Sequence, residues 1–159
     1  MRVEQVMSRP AAVCRTSDTL NLAAQLMWDH DCGCVPVVDQ AGTAIAMVTD
    51  RDVCMAAYTQ GKALGEICVA DAMSRELFVC SGSEPLSAAE EIMRMRQLRR
   101  LPVTDSSGMV IGVISLNDIA VEAERERGRR SKEVTSNEVG AVLGKISRHR
   151  QSVSLTALA

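Results

Sequence analysis

The chain has 159 residues, a formal net charge of −2 at pH 7, 47% hydrophobic residues and 24% charged residues. This length and composition are typical of one folded domain or two small repeats, and they exclude a wholly disordered chain. The small net charge and an aromatic content of 2% argue against nucleic acid as a partner, because such binding needs a basic surface and often stacking rings.

An internal repeat is the most informative feature of the sequence. Residues 7–53 align with residues 73–119 without a gap, at a constant offset of 66 residues. The identical pairs include Pro36/Pro102, Gly42/Gly108 and Asp52/Asp118. A shared helical period alone would not align a proline, a turn glycine and a terminal aspartate, so the sequence indicates a duplicated supersecondary unit.

The first unit is predicted to run strand, helix, strand, strand, helix. Apolar residues 11–14 favour a buried strand, and a helix capped by Ser17 or Asp18 follows. Its apolar stripe has the spacing i, i+3, i+4 and i+7 at Leu20, Ala23, Ala24 and Met27. Residues 35–39 and 44–49 flank Gly42 and predict a hairpin, after which a second helix begins near Asp50.

The second unit repeats this order after a connector at residues 58–65. Its strands are predicted at residues 77–80, 101–105 and 110–115, with Pro85 in the first turn of one helix and Leu116 at the start of the other. The predicted boundaries are 1–60 for the first repeat, 61–65 for the linker, 66–127 for the second repeat and 128–159 for an extension.

The extension carries a charged run followed by an amphipathic segment. Residues 122–130 are predicted to be the solvated end of the last repeat helix, before a break at residues 131–136. A further helix capped by Ser136 or Asn137 then presents an apolar stripe of Val139, Val142, Leu143 and Ile146. This stripe could dock on its own module, on a second subunit or on a regulated protein.

Basic residues close that segment, at Lys145, Arg148, His149 and Arg150. They could touch an acidic surface, or they could simply oppose the helix dipole at its C-terminal end.

The paired motifs resemble the cystathionine-β-synthase (CBS) domain. The first copy contributes Val35-Pro36-Val37-Val38-Asp39 and Val48-Thr49-Asp50-Arg51-Asp52. The second copy contributes Leu101-Pro102-Val103-Thr104-Asp105 and Val113-Ile114-Ser115-Leu116-Asn117-Asp118. A tandem pair of this kind, here over about residues 3–123, resembles a Bateman module.

The resemblance implies an α/β fold in which two β-α-β-β-α repeats pack face to face with pseudo-two-fold symmetry, and the sequence adds a C-terminal helical extension. It also implies two clefts between the repeats, each able to bind AMP, ADP, ATP, NAD or S-adenosylmethionine, with AMP or ATP preferred here. A homodimer that regulates another protein, and is not itself an enzyme, is the function the resemblance favours.

Two hydroxyl and carboxylate pairs are candidate nucleotide ligands. Ser115 and Asp118 lie three apart where a strand leads into a helix, so the hydroxyl and the first helical N–H groups can face a phosphate while the carboxylate accepts from ribose hydroxyls. Thr49 and Asp52 repeat the arrangement. The structural alternative for each pair is a helix cap.

The resemblance places cationic side chains against ligand phosphates at Arg99 and Arg100, whose planar groups suit that role. The alternative is a solvated helix end that opposes the dipole. Their counterparts, Gly33 and Cys34, are small and uncharged, so the two clefts cannot be alike.

The Asp118 cleft is therefore predicted to be the better mononucleotide site, because small residues make room for adenine. By resemblance its further members are Asn117, Met7, Ala12, Gly33 and Cys34. The Asp52 cleft would have a bulkier wall of Met73, Phe78, Leu98 and Arg99.

Other functions are weaker hypotheses. His30, Cys32 and Cys34 form the one soft-ligand cluster and define the alternative of a metal or redox sensor. With His30 and His149 as the two histidines, no catalytic triad is apparent, and the glycines form no phosphate loop.

The predicted location is the cytoplasm, without a membrane partner. No apolar run reaches the length of a membrane span, and the N-terminus lacks the apolar core of a signal peptide. The six cysteines are then expected to be reduced thiols.

Overall fold

The computed structural model describes residues 1–128 and 133–148, and it contains the predicted unit twice. The first copy comprises β1 (Cys14–Arg15), α1 (Leu20–Asp29), β2 (Cys34–Val38), β3 (Ala44–Thr49) and α2 (Asp50–Gln60). The second comprises β4 (Cys80–Ser81), α3 (Leu86–Arg96), β5 (Arg100–Thr104), β6 (Val110–Ser115) and α4 (Leu116–Arg125), and α5 (Ser136–Ile146) follows. The predicted order of elements is confirmed in both copies.

Each repeat forms a three-stranded sheet. Its central strand, β2 or β5, pairs with the strand before it and forms a hairpin with the strand after it. The sheet orders are β1-β2-β3 and β4-β5-β6, with the first pair parallel and the second pair antiparallel. Gly42 and Gly108 turn the two hairpins with φ values of 86° and 84°. These are left-handed conformations that glycine adopts without a steric penalty, which explains the glycine at each turn.

The two sheets meet where their hairpins touch. Thr43 pairs with Met109, and the N–H groups of Ala44 and Val110 donate to the carbonyls of Gly108 and Gly42, each at 3.4 Å. Partners that exchange in this way are expected beside a two-fold axis. The predicted face-to-face packing with pseudo-two-fold symmetry is confirmed.

Each core is completed by a segment that precedes the other repeat. The turn Val3–Gln5 packs on the second repeat, where the Val3 N–H donates to the Glu84 carbonyl and Val3 is fully buried. The turn Val69–Asp71 packs on the first repeat, where the Val69 N–H donates to the Asp18 carbonyl. The predicted division at residues 60 and 66 follows the sequence repeat, whereas these two short segments cross between the cores.

Several predicted element ends are wrong by a few residues. The α1 cap is Thr19, which accepts from the Leu22 N–H at 3.3 Å, while the Asp18 carboxylate accepts from the Arg15 N–H. β1 begins at Cys14 rather than at residue 11, and α2 continues to Gln60 because Gly61 terminates it in a left-handed conformation. The connector is correspondingly shorter than residues 58–65.

The predicted C-terminal helix is α5, and it docks on its own module. It packs against α3 and α4, with Val142 and Ile146 buried and Leu143 exposed. Its cap is Thr135 rather than Ser136 or Asn137, because the Glu138 carboxylate and the Thr135 hydroxyl form a reciprocal box. His149 and Arg150 lie outside the described residues, as do Arg130 and Ser131.

The charged run after α4 is only partly solvated, so the prediction for it is wrong at Glu126. This side chain is 2% exposed and accepts from the N–H groups of Glu133 and Val134. Those amides precede α5 and need an acceptor where the chain turns back onto the repeat. Within residues 1–128 and 133–148, no helix is long and apolar enough to cross a membrane.

Candidate functional site

The Ser115 and Asp118 pair forms a reciprocal cap on α4. One carboxylate oxygen, Oδ2 of Asp118, accepts from the Ser115 N–H at 2.8 Å and from its hydroxyl at 2.5 Å, while the Asp118 N–H donates to Oγ of Ser115 at 3.2 Å. The second oxygen accepts from the hydroxyl of Ser8 at 3.0 Å. The capping alternative therefore describes these side chains in the structure, although both remain half-buried rather than buried.

The Thr49 and Asp52 pair repeats the cap on α2. Oδ2 of Asp52 accepts from the Thr49 N–H at 2.9 Å and from its hydroxyl at 2.7 Å. Within the described residues, no hydrogen bond of the structure reaches the second carboxylate oxygen of Asp52. The two caps thus differ in one contact, the hydroxyl of Ser8.

Arg100 extends from the second repeat to the first. It is the first residue of β5 and lies opposite Ser115 in the β5–β6 ladder. Nη2 of Arg100 lies 2.7 Å, and Oδ2 of Asp50 lies 2.9 Å, from the point that a Cβ of Gly33 would occupy. The room beside Gly33, predicted to accommodate adenine, is taken here by a guanidinium and a carboxylate.

Cys34 connects these groups electrostatically. Burial raises the pKa of its thiol to about 12, the Arg100 charge acts to lower it, and the neighbouring Cys32, Asp50 and Asp118 act to raise it. The structure therefore brings Gly33 of the first repeat together with Arg100 of the second.

A groove of about 470 Å³ opens beside this cluster. It is lined by Asp31, Cys32, Gly33, Asp50 and Arg100, and by four apolar residues of α1 and α2, namely Ala24, Met27, Trp28 and Val53. The sequence analysis missed Asp31 and Asp50 as lining residues, and Ser8 as a partner of Asp118. Ser8 belongs to the identical pair Ser8/Ser74, so the repeat carried a signal for it.

The other predicted residues are more dispersed. Met7 is buried, with its sulfur 2.6 Å from the point that a Cβ of Gly112 would occupy, and Ala12 is half-buried. Asn117 and Arg99 are exposed, and the Arg99 carbonyl accepts from the Leu116 N–H at 2.9 Å.

On the side of the Asp52 cleft, the bulky residues mostly serve the protein interior. Met73 packs against the first core, and Phe78 and Leu98 pack against the second. The guanidinium of Arg96 lies 4.5 Å from the centre of the Phe78 ring, within range of a cation–π contact.

The cysteines give the metal and redox alternative no support. In the part of the chain that the structure describes, no group of three His, Cys, Asp or Glu side chains is placed to hold a metal ion. The Cys32 thiol donates to the Cys34 carbonyl at 3.3 Å. A Cys34 pKa raised to about 12 leaves little thiolate at neutral pH, which is the form that reacts or binds metal.

Comparison with known proteins extends these observations. The CBS domain family model matches residues 3–58 and 69–124. A relative in Bacillus subtilis, the CBS domain-containing protein YhcV, is 36% identical over 119 residues, which are 75% of this chain and 83% of YhcV.

Two solved structures share the fold. The CBS domain protein PAE2072 from Pyrobaculum aerophilum, complexed with AMP, superposes with a TM-score of 0.67 at 22% identity, over 78% of this chain and 94% of that one. The CBS domain pair of protein MJ0100, in complex with 5′-methylthioadenosine and S-adenosyl-L-methionine, gives a TM-score of 0.69 at 21% identity, over 76% and 94%. Two matched repeats, two joined sheets and a close relative agree, and the chain belongs to the CBS domain family as a tandem pair of such domains.

Proposed function

We propose that this chain is a non-enzymatic regulatory module that binds an adenine nucleotide between its repeats, chiefly at the cleft of Ser115, Asp118 and Arg100. AMP or ATP is the preferred ligand, and NAD or S-adenosylmethionine are further members of the class. Binding favours one arrangement of the repeats over another, and a partner protein responds to that arrangement. Such a switch requires the ligand to bind the two arrangements with different affinity.

One approach between the repeats carries the proposal: Nη2 of Arg100 lies 2.7 Å from the point that a Cβ of Gly33 would occupy, and Oδ2 of Asp50 lies 2.9 Å from the same point. A guanidinium held at the tip of a flexible side chain can swing toward a phosphate, and it offers two parallel donors to the phosphate oxygens. Its departure would free the space beside Gly33. The asymmetry with Cys34, the counterpart of Arg100, favours one cleft over the other.

The relatives support the ligand class. AMP, 5′-methylthioadenosine and S-adenosyl-L-methionine share an adenosine moiety, and proteins of the same fold have been solved with each. The carboxylates of Asp118 and Asp52 already accept hydroxyl hydrogen bonds, which is the interaction that a ribose would offer.

The proposed location is the cytoplasm. All six cysteines are free thiols in the structure, and three of them (Cys14, Cys34 and Cys80) are buried. Proteins of oxidising compartments more often use such cysteines in disulfides.

Calorimetric titration of AMP, ATP, NAD and S-adenosylmethionine into the full chain and into Arg100→Ala tests the proposal. A charge-assisted hydrogen bond contributes about 1.5–3 kcal/mol, so we expect Arg100→Ala to bind AMP at least about tenfold more weakly. Arg125→Ala is the control, since its side chain is 71% exposed and pairs with Glu122 of its own helix. Equal affinity in the chain and in Arg100→Ala would contradict the assigned site.

The ranking of the clefts needs its own pair of variants. Asp118→Ala and Asp52→Ala each remove the same capping box, so a shared loss of stability cancels in their comparison. We expect a greater loss of AMP affinity in Asp118→Ala. An equal loss in both variants would refute the ranking.

A further inference from the structure

Four arginines are concentrated where α3 ends and β5 begins, namely Arg94, Arg96, Arg99 and Arg100. The first repeat has no arginine or lysine at the equivalent positions, which are occupied by Trp28, His30, Gly33 and Cys34. α1 accordingly ends without a basic residue in its last turn, whereas α3 ends with two. Since the same helix forms in the first repeat without them, the fold does not need these arginines to oppose the helix dipole.

α5 brings two further cations to the same place. The side-chain amide of Gln97 donates to the carbonyl of Arg148 at 2.9 Å and to the carbonyl of Lys145 at 3.4 Å. The C-terminal ends of α3 and α5 are therefore joined through Gln97. We call the surface at this junction the basic corner, and we define it by four exposed residues, Arg96, Arg99, Lys145 and Arg148.

The cations of the basic corner have no carboxylate partner within residues 1–128 and 133–148. Other arginines of the second repeat pair with a glutamate three residues earlier, in the pairs Arg94/Glu91, Arg125/Glu122 and Arg127/Glu124. None of these ion pairs, and no other in that part of the chain, includes a residue of the basic corner. Unneutralised charges of one sign produce a local positive potential, which attracts an acidic partner.

An exposed apolar side chain lies within the same stretch of α3. Met95, between Arg94 and Arg96 in sequence, is 68% exposed. Exposed ion pairs contribute little free energy individually, so an apolar contact would supply part of the affinity for a partner. Methionine suits this role, because its flexible side chain adapts to different binding partners. The surface therefore fits a segment in which acidic and apolar residues occur together.

Nucleic acid fits the basic corner less well. Binding to a phosphate backbone needs an extended basic surface, whereas this chain has a net charge of −2 and its corner has four cations. Single strands also need stacking rings, and the aromatic content of the chain is 2%. A short acidic peptide matches the small size of the corner.

We propose that the basic corner is a docking site for an acidic segment of a partner protein, whose carboxylates pair with Arg96, Lys145 and Arg148. A guanidinium offers two parallel donors to a carboxylate, which gives the pairing geometric specificity. The site is complete only while α5 is docked, because α5 supplies two of its four cations. Docking here does not require a nucleotide in the cleft, so the site goes beyond the proposed function.

Fluorescence anisotropy of a labelled peptide that repeats Glu-Glu-Leu tests the docking site, with a Lys-Lys-Leu peptide of the same length for comparison. We expect Lys145→Glu/Arg148→Glu to bind the glutamate peptide at least about tenfold more weakly than the wild-type chain at about 0.15 M salt. The matched control is Arg15→Glu/Lys62→Glu, the same change in charge at two exposed residues outside the corner. Its effect should be less than about twofold, because salt screens charges beyond about 8 Å.

Arg96→Gln is a second variant, since it removes a charge from α3 and leaves α5 unchanged. It should weaken peptide binding several-fold. Circular dichroism and thermal unfolding establish that each variant folds, and hydrogen exchange of residues 136–146 establishes that α5 remains docked. AMP titration separates this proposal from the proposed function. A double variant that binds AMP but not the peptide supports the docking site, whereas a wild-type chain that binds the peptide but not AMP refutes the proposed function alone.

The docking site is wrong if the wild-type chain does not prefer the glutamate peptide to the lysine peptide, or if the two double variants lose the same affinity. A single-stranded DNA of the same charge that binds more tightly than the peptide, and loses affinity in the same variants, would identify nucleic acid as the partner instead. Peptide binding that is lost on removal of residues 149–159, but not in the variants of the basic corner, would assign the acidic partner to that segment.

Discussion

Arg100 and Gly33 belong to different repeats, and the guanidinium of the first fills the space that a side chain on the second would need. Nη2 of Arg100 lies 2.7 Å from the Cβ position of Gly33, closer than a methyl group tolerates. The second neighbour of that point, Oδ2 of Asp50, also ends a side chain. The glycine therefore permits a contact between repeats rather than a special backbone turn.

Gly33→Ala should accordingly alter the cleft more than the fold. The methyl would displace two mobile side-chain ends, so we expect the free energy of unfolding to change by less than about 1 kcal/mol. AMP affinity should fall several-fold, because the methyl group would occupy the space beside Gly33 that the departing guanidinium otherwise frees for the ligand. Chemical denaturation and calorimetry measure the two effects, with Gly65→Ala as a control that meets no atom within 4 Å. A fall in stability without a change in affinity would contradict this reading.

Gly112→Ala should destabilise the protein strongly. Its Cβ would lie 2.6 Å from the Met7 sulfur and 2.8 Å from the backbone carbonyl oxygen of Ser8, and the backbone atom cannot rotate away. Such overpacking costs about 1–3 kcal/mol, and we expect the melting temperature to fall.

The control for Gly112→Ala is Gly144→Ala in α5, where a Cβ meets nothing within 4 Å. In a helix interior this change should stabilise by about 0.5–1 kcal/mol. Equal melting temperatures for the two variants would show that the segment around Met7 is not held as described.

Glu90 should make stability depend on pH. Burial, and then the charge of Glu138 on α5, raise the pKa of its carboxyl, and Oε1 is buried without a hydrogen bond within the described residues. The folded state thus holds the proton more tightly than the unfolded state, so stability falls as pH rises through the raised pKa and stays lower at neutral pH.

Glu90→Gln should remove the loss of stability that ionisation of Glu90 causes at neutral pH. We expect it to raise the melting temperature at about pH 7 and to change it little at about pH 4. Glu91→Gln is the control, since Glu91 is exposed and paired with Arg94. A gain that is the same at both pH values would indicate a cause other than ionisation of Glu90.

Glu126→Ala should loosen α5. The substitution leaves the N–H groups of Glu133 and Val134 without their acceptor, and an unsatisfied buried group such as the Val134 N–H costs about 1–3 kcal/mol. Hydrogen exchange should increase first in residues 133–148. Glu126→Gln retains an acceptor oxygen and should exchange more slowly than Glu126→Ala, whereas identical exchange in the two variants would dismiss the acceptor role.

Much of the fold follows from patterns that are local and repeated. The alignment of Gly42 with Gly108 predicted both hairpins, and the apolar stripe at Leu20 predicted α1, because each depends on residues close in sequence. The packing of Val3 in the second core and of Val69 in the first core was not predictable in this way, since it depends on which sheet each segment meets in space.

For the candidate site, the sequence predicted the chemical types of the residues better than their arrangement in space. The motif that ends in Asp118 indicated both a cap and a ligand, and the structure contains the cap. No sequence pattern relates Arg100 to Asp50, because they lie in different repeats and approach the same point beside Gly33 only after the two sheets join. The burial of Glu126 was missed for a similar reason, since its partners follow a chain reversal.

Because of the exchanged short segments, one core is built from a single continuous stretch of the chain and the other is not. Every member of the first core lies between Cys14 and Met73, so one uninterrupted stretch contains all of it. The second core combines Val3 and Met7 with residues from 78 to 146. During synthesis the first repeat can therefore fold as soon as Met73 has emerged from the ribosome. The second must recapture the turn Val3–Gln5, which is made before the first repeat, and this long loop closure slows its completion.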